Sequence, residues 1–167
     1  MARVPFLTPD LPEPAASANV FRALANSPQA TAGMGNLGGR LLTRGSLDPR
    51  LRELAILRVG ALLRCDYEFG QHVLIARGLG VTDDEIRAVR DGDLGAFAPA
   101  ESAVLRFADA VEQCYVDDAA HASVAGLLSA EQLVELTVLV GYYGAVSRFL
   151  LAMDVELDEG VQGLEHP

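Results

Sequence analysis

The sequence predicts an all-α fold of about seven or eight helices, and three observations lead to that prediction. Apolar residues recur at the spacing of one helix face along most of the chain, and no segment alternates apolar and polar residues as a strand would. Alanine and leucine are abundant, whereas β-branched runs are few, which favours helix. Capping boxes at Thr82–Glu85 and Ser129–Gln132 mark two helix starts.

The expected helices follow from apolar periodicity and from start and stop signals. Ser17 and Ser27 are expected to cap the first two helices, and a bend near Arg64 separates the third from the fourth. The third helix is apolar around nearly its whole circumference, which predicts a central position. Glycines end the fourth helix. The expected ranges are about 18–26, 28–42, 49–63, 65–79, 83–90, 99–116, 119–127 and 130–152.

The 167 residues suit one domain, flanked by two segments of different composition. We expect a proline-rich extended arm over residues 1–16, a single helical domain over 17–153 and an acidic tail over 154–167 that is a solvated end. The net charge of −10 argues against nucleic acid and against an anionic membrane surface as partners.

Location and redox state are also predicted from composition. The N-terminus lacks the apolar run of a signal peptide. Arg58 and Arg64 interrupt the most hydrophobic stretch, so we expect no membrane span and a cytoplasmic protein. The two cysteines, Cys65 and Cys114, do not have the spacing of a disulfide framework, and Cys114 is expected to be packed near the apolar face of the sixth helix.

Residues 48–80 contain the side chains that could carry chemistry. Cys65, Glu68 and His72 are three and four residues apart, so in one helix they share a narrow stripe. The stripe continues into Ile75, Ala76 and Leu79, which are apolar and expected in the core. Polar groups at the start of an otherwise apolar stripe are the pattern expected of a site inside a helical domain.

Each candidate residue also has an ordinary structural interpretation. Glu68 and His72 could form a surface pair, and Cys65 could be a small buried hydrophobe. Glu53, in the third helix, either pairs with a neighbouring arginine or faces the stripe as a buried proton carrier. Cys65, Glu68 and His72 do not form a standard metal motif, and no flavin or nicotinamide fingerprint is present. We therefore expect no metal and no cofactor.

Two segments, Glu53–Val59 and Cys65–His72, together with the following Gly-Val-Thr-Asp-Asp-Glu-Ile sequence, carry a family resemblance. They resemble the carboxymuconolactone decarboxylase and alkylhydroperoxidase D-like superfamily, from about Asn19 to Arg148. The resemblance implies an alkylhydroperoxidase D-like all-α fold and a small-molecule substrate. It also implies a homo-oligomer, commonly a trimer or hexamer with a dimer as an alternative, with sites near subunit contacts.

The functional positions of the superfamily can be compared with this sequence one residue at a time. In the peroxidase branch a Glu precedes a Cys-x-x-Cys pair, and a His follows four residues after the second cysteine. Glu53, Cys65 and His72 match this pattern, whereas Glu68 replaces the second cysteine. Disulfide cycling within the motif is therefore impossible, and a one-cysteine mechanism with an external thiol remains open. The decarboxylase branch generally lacks the cysteine pair and retains the His, and its chemistry is proton transfer at carbon.

We rank general acid–base chemistry first: decarboxylation, isomerisation or a related lyase reaction on a small organic acid, lactone or carbonyl compound. The second hypothesis is a thiol-dependent hydroperoxidase with peroxiredoxin-like activity at Cys65, whose pKa the helix start and His72 would lower. The third is a non-catalytic helical oligomer. The expected catalytic residues are His72, Glu68, Cys65 and Glu53, and the expected substrate contacts are Tyr67 and Arg58.

Overall fold

The structure, a computed structural model, describes residues 1–165, and within that range it contains helices, turns and loops without strands. The all-α prediction is confirmed. A short 3₁₀ helix at Leu94–Ala96 lies between the fifth and sixth of eight α-helices in the described range. The α-helices are α1 (Asn19–Leu24), α2 (Pro28–Arg44), α3 (Pro49–Leu62), α4 (Asp66–Gly78), α5 (Asp83–Asp91), α6 (Pro99–Glu112), α7 (Asp118–Ala125) and α8 (Ala130–Met153).

The helix starts follow the local sequence. At Ser27, Thr82 and Ser129 the cap side chain accepts a hydrogen bond from a backbone N–H of the first turn, as predicted. The prediction for Ser17 is wrong. Its hydroxyl donates to the carbonyl three residues earlier, and α1 begins after Ala18, which has no side chain able to cap.

Helix α3 lies at the centre of the fold, as predicted from its apolar circumference. One face packs against α6 and α8 through a cluster that includes Ile56 and Val59. The opposite face packs against α4 and α5 through a cluster that includes Leu54 and Leu57. A helix that contacts partners on both sides has no solvent face, so a polar side chain on it must find its partners inside the protein.

The predicted bend between α3 and α4 is confirmed. Arg64 has a left-handed backbone with φ of 53°, and the Cys65 N–H donates to the Gly60 carbonyl at 2.9 Å. A Cβ atom on Gly60 would lie 3.1 Å from the backbone nitrogen of Phe69, so the two helices approach closely here. The tight turn and the close approach together place α4 against α3 in reverse direction.

Two expectations about burial are wrong. Of the three stripe residues expected in the core, Ala76 is buried, but Ile75 and Leu79 are 43% and 39% exposed, because the stripe reaches the surface along α4. Cys114 was expected within a sixth helix extending to 116, packed near its apolar face. Helix α6 ends at Glu112, and Cys114 lies beyond it with a φ of 56° and an exposed thiol.

The C-terminal segment packs against the domain, which differs from the expectation of a solvated end. Val155 and Leu157 contact the cluster around Cys65 and Tyr67. The carboxylate of Asp158 accepts hydrogen bonds from the backbone of α1 and from two side chains of α4. Composition alone identified an acidic run, but these donors were not visible in it. Residues 166–167 of the expected tail lie outside the described residues.

Helix α8 is long and apolar enough to cross a membrane by length and composition, with a mean hydropathy of 1.5 over an 18-residue window. The expectation that no segment meets this test is therefore wrong. It is weak evidence for a membrane, since the core helix of a soluble protein passes the same test. Within the fold, α8 contributes Leu136, Leu139 and Tyr143 to the same core cluster as α3.

Two glycines of α4 give a matched test of the C-terminal packing. A Cβ on Gly70 would collide with the carbonyl oxygen of Gln162, whereas a Cβ on Gly78 would meet no atom within 4 Å. We expect Gly70→Ala to lower the free energy of unfolding by about 1–3 kcal/mol. Gly78→Ala should be neutral or slightly stabilising. Urea denaturation followed by circular dichroism measures both, and equal stability of the two variants would contradict the packing described.

Candidate active site

Side chains from three helices, α3, α4 and α8, meet in the interior of the protein. Helix α3 contributes Glu53, and α4 contributes Glu68 and His72. Helix α8 covers them with an aromatic side chain, Tyr143. The three polar side chains are 0%, 4% and 6% exposed, in the same order. The sequence-predicted stripe on α4 and the glutamate of α3 are therefore brought together inside the protein.

The imidazole of His72 lies between two carboxylates. Its Nδ1 is 2.6 Å from Oε2 of Glu53, and its Nε2 is 3.1 Å from Oε1 of Glu68. Arg52 donates from Nε to the other oxygen of Glu53 at 3.2 Å. Glu53 thus has both partners considered for it from the sequence, a neighbouring arginine and the α4 stripe. With both carboxylates ionised and the imidazole protonated, the four side chains carry no net charge.

The pKa of His72 follows from these contacts. Burial alone would lower it, but the hydrogen bonds and charges of Glu53 and Glu68 raise the pKa of His72 from 6.5 to about 9. The imidazole is therefore protonated at neutral pH and donates from both ring nitrogens. In this form His72 is an acid ready to release a proton, and it becomes a base only after that release.

Aromatic residues of α8 close the site on one side. Tyr143 contacts His72 edge to face, with ring centroids 4.9 Å apart, and Tyr142 packs edge to face on Tyr143 at 5.0 Å. The Tyr142 hydroxyl donates to the carbonyl of Met34 in α2, which fixes this ring. Burial also raises the pKa of Tyr143, so its phenol stays neutral beside the two carboxylates.

Cys65 lies at the N-terminal end of α4 as its cap residue and is only 1% exposed. Burial raises the pKa of the Cys65 thiol, the backbone N–H of Glu68 lowers it, and the Glu68 carboxylate raises it again. The Ser147 hydroxyl and the backbone N–H of Tyr67 lower it further, but the net direction is upward. The expectation that the helix start and His72 give a thiol of low pKa is therefore not what the structure shows.

Arg58 and Tyr67, the two expected substrate contacts, form hydrogen bonds with other parts of the protein. Arg58 points to the other side of α3, where its guanidinium binds Asp109 through Nε at 2.6 Å and Nη2 at 3.1 Å and donates to the Val89 carbonyl. The Tyr67 hydroxyl donates to Asp158 at 2.7 Å and accepts from the Val20 N–H. Both side chains hold parts of the fold together.

Three residues beside the site were not among the sequence candidates: Arg52, Tyr143 and Ser147. Arg52 adjoins Glu53 in sequence, and it is one of the neighbouring arginines that the sequence offered as partners for Glu53. Ser147 stands out as a hydroxyl within an apolar helix, which is a usable signal. Tyr143 carries no such signal, since its contact with His72 joins residues 71 positions apart in the chain. Within residues 1–165, no group of three or more His, Cys, Asp or Glu side chains is arranged to hold a metal ion.

The carboxymuconolactone decarboxylase family model matches residues 28–110, about half of the chain. That range contains Arg52, Glu53, Cys65, Glu68 and His72. The chain belongs to the carboxymuconolactone decarboxylase and alkylhydroperoxidase D-like superfamily. The resemblance inferred from the sequence is thereby confirmed. A comparison with curated protein sequences gives no match.

Several solved structures share the fold. A peroxidase-related protein from Ralstonia eutropha JMP134, described as an alkylhydroperoxidase AhpD core, is 20% identical with a TM-score of 0.80, over 95% of this chain and 93% of that one. A peroxidase-related protein from Silicibacter sp. TM1040 is 14% identical with a TM-score of 0.82, over 95% and 92%. The debrominase Bmp8 in complex with 2,3,4-tribromopyrrole is 18% identical with a TM-score of 0.78, over 95% and 92%. At these identities the likeness shows a common fold.

The raised pKa of His72 predicts a pH dependence of stability. Because the folded protein binds the His72 proton more tightly than the unfolded chain, the stabilisation is complete below pH 6.5 and is lost as pH rises to about 9. We expect the free energy of unfolding to fall by a few kcal/mol over this window. Urea denaturation at a series of pH values measures the slope.

Two variants test the assignment of this slope. Glu68→Gln should make it shallower, since one of the two carboxylates that raise the pKa of His72 is removed. His121→Asn should leave the slope unchanged, because His121 is exposed on α7. A slope that disappears in His121→Asn and persists in Glu68→Gln would show that His72 is not its origin.

Proposed function

We propose that this protein is an acid–base enzyme acting on a small organic acid, lactone or carbonyl compound, by decarboxylation, isomerisation or a related lyase-type reaction. One observation carries the proposal: the buried imidazole of His72 is held between the carboxylates of Glu53 and Glu68 at 2.6 Å and 3.1 Å. A structural ion pair needs one carboxylate for one cation. An imidazole with a carboxylate on each nitrogen is instead a continuous path for a proton.

The roles follow from position along this path. Glu53 is fully buried and bonded to Arg52, so it orients His72 and balances its charge. Glu68 lies at the other end of the path, where its charge also acts on the pKa values of Cys65, Tyr142 and Tyr143. We assign Glu68 as the group nearest the reacting carbon atom of the substrate. His72 is then the acid that supplies the proton to Glu68. Cys65 lies at the start of the same helix, α4, where the charge of Glu68 acts on its thiol.

In a decarboxylation, the bond between the carboxylate carbon and the adjacent carbon breaks, and carbon dioxide leaves. The electron pair stays on the substrate as an enolate, which receives a proton from Glu68 as His72 passes its own proton to Glu68. Glu53 and Arg52 hold the neutral imidazole in place until a proton returns from solvent. In an isomerisation, Glu68 removes a proton from carbon and His72 supplies one at a second position, so the proton count of the substrate is unchanged.

We also propose that the chain works as a homo-oligomer, a trimer or hexamer, with the site near a subunit contact. Support comes from apolar side chains exposed beside the site on α4, Leu74 and Ile75, at 54% and 43%. Helix α8 exposes Val134 and Val138 as well, at 62% and 40%. Apolar exposure of this kind is typical of surfaces that contact another protein. The cytoplasmic location remains a prediction from the sequence.

The primary test compares three single variants on a panel of lactones and β-keto acids. We expect His72→Asn and Glu68→Gln to lower turnover by at least about 100-fold, because each removes one group of the proton path. Cys65→Ser should retain most of the activity. Carbon dioxide release and deuterium incorporation from solvent, followed by NMR, measure the reaction, and thermal denaturation confirms folding. Full activity in His72→Asn would contradict the proposal.

A thiol-dependent hydroperoxidase is the second candidate, and one observation favours it. Cys65 caps α4, where the backbone N–H groups of Tyr67 and Glu68 lower the pKa of its thiol. The Ralstonia and Silicibacter proteins of the same fold are described as peroxidase-related. The upward net shift of the thiol pKa, and Glu68 in place of a second cysteine, weigh against it.

The two candidates give opposite results for one variant. If the protein is a peroxidase, Cys65→Ser should abolish the consumption of hydrogen peroxide in the presence of dithiothreitol, and peroxide should oxidise Cys65 stoichiometrically. If it is an acid–base enzyme, the same variant should keep its activity on carbon acids. No activity of the parent protein in either assay would favour the third hypothesis, a non-catalytic helical oligomer.

A further inference from the structure

Ser147 on α8 carries a buried hydroxyl without a hydrogen-bond partner. The residue is 0% exposed, and its Oγ is the one buried side-chain nitrogen or oxygen atom of residues 1–165 that lacks a partner. Other hydroxyls within helices solve this problem locally: Thr31, Thr43 and Thr137 each donate to the carbonyl four residues earlier. Ser147 does not, so its donor is left available for something else.

The hydroxyl lies beside the thiol of Cys65. The neighbours of Ser147 on α8, Val146 and Leu150, form one buried cluster with Cys65 and Tyr67. A hydrogen bond from the Ser147 hydroxyl would lower the pKa of the thiol, and the backbone N–H groups of Tyr67 and Glu68 act in the same direction. Donor groups of two helices, α4 and α8, would therefore favour a negative charge on the sulfur.

A neutral thiol makes poor use of these donors, because its sulfur is a weak acceptor. A thiolate or a sulfur-bound oxygen is a strong acceptor and would bind them. A buried hydroxyl that lacks a hydrogen-bond partner needs a physical explanation. Here the explanation is that its acceptor, a thiolate or a sulfur-bound oxygen, forms only when Cys65 ionises or is oxidised. The charged side chain that acts on the thiol is Glu68, and its effect opposes thiolate formation.

We propose that Ser147 is a positioning residue for Cys65, whose hydroxyl donates to the sulfur when it becomes a thiolate and to the oxygen when peroxide oxidises it to a sulfenic acid. In that oxidation an S–O bond forms and the O–O bond breaks. Sulfur loses two electrons, and the thiol proton leaves with the departing oxygen as water. The inference does not rest on the acid–base function, since it concerns the ionisation of Cys65 whether or not the thiol turns over.

The test measures the thiolate of Cys65 directly. All variants carry Cys114→Ser, because Cys114 is exposed and would add its own signal. Thiolate absorbance at 240 nm is followed against pH, and Cys65→Ser identifies the signal. We expect Ser147→Ala to lower the thiolate fraction at a given pH about tenfold, as loss of a charge-assisted hydrogen bond should. The rate of oxidation by hydrogen peroxide, followed by intact mass, should fall by a similar factor.

Stability separates this role from a structural one. Ser147→Ala removes an unsatisfied hydroxyl, so its melting temperature should be equal to or higher than that of the parent. Ser123→Ala is the matched control: Ser123 is an exposed helical serine that donates to the Ala120 carbonyl, and its loss should leave the Cys65 titration unchanged. An unchanged titration in Ser147→Ala would overturn the proposal, as would the absence of any Cys65 thiolate below pH 11 in the parent.

Discussion

The interaction on which the site depends is the charge-balanced contact of four side chains between α3 and α4. Glu53 is fully buried, and an isolated carboxylate there would be too costly to maintain. Arg52 and His72 compensate it, and Glu68 compensates the imidazolium in turn. This arrangement requires the two helices to lie close together. The contact of Gly60 with the Phe69 backbone and the left-handed turn at Arg64 provide that proximity.

The surroundings of these charges determine how strongly they act. Tyr143 covers the imidazole from α8, and the C-terminal segment packs over the neighbouring cluster around Cys65. Both exclude water, so charges within the site are screened less than at the surface. This is why the carboxylates raise the pKa of His72 to about 9 although burial opposes it. The protonation state of His72 therefore depends on the packing of α8 and the C-terminal segment around the site.

The sequence predicted those features that depend on local periodicity and end signals. Helix positions, three of the four predicted serine and threonine caps, and the stripe of Cys65, Glu68 and His72 follow from residues a few positions apart. Contacts between distant segments could not be obtained in this way. The direction of Arg58 depends on a carboxylate 51 residues away, and Tyr143 reaches His72 across 71 residues. The packed C-terminal segment was missed for the same reason.

Glu68 acts on both the imidazole of His72 and the thiol of Cys65. Its carboxylate stabilises the His72 imidazolium and raises the pKa of Cys65 at the same time. A negative charge at this position thus favours a proton donor and disfavours a sulfur nucleophile. A second cysteine at the same position would carry no such charge in its neutral form. This charge is the physical reason for ranking proton transfer above sulfur chemistry in the proposal, and Ser147 is the donor that a thiolate would need there.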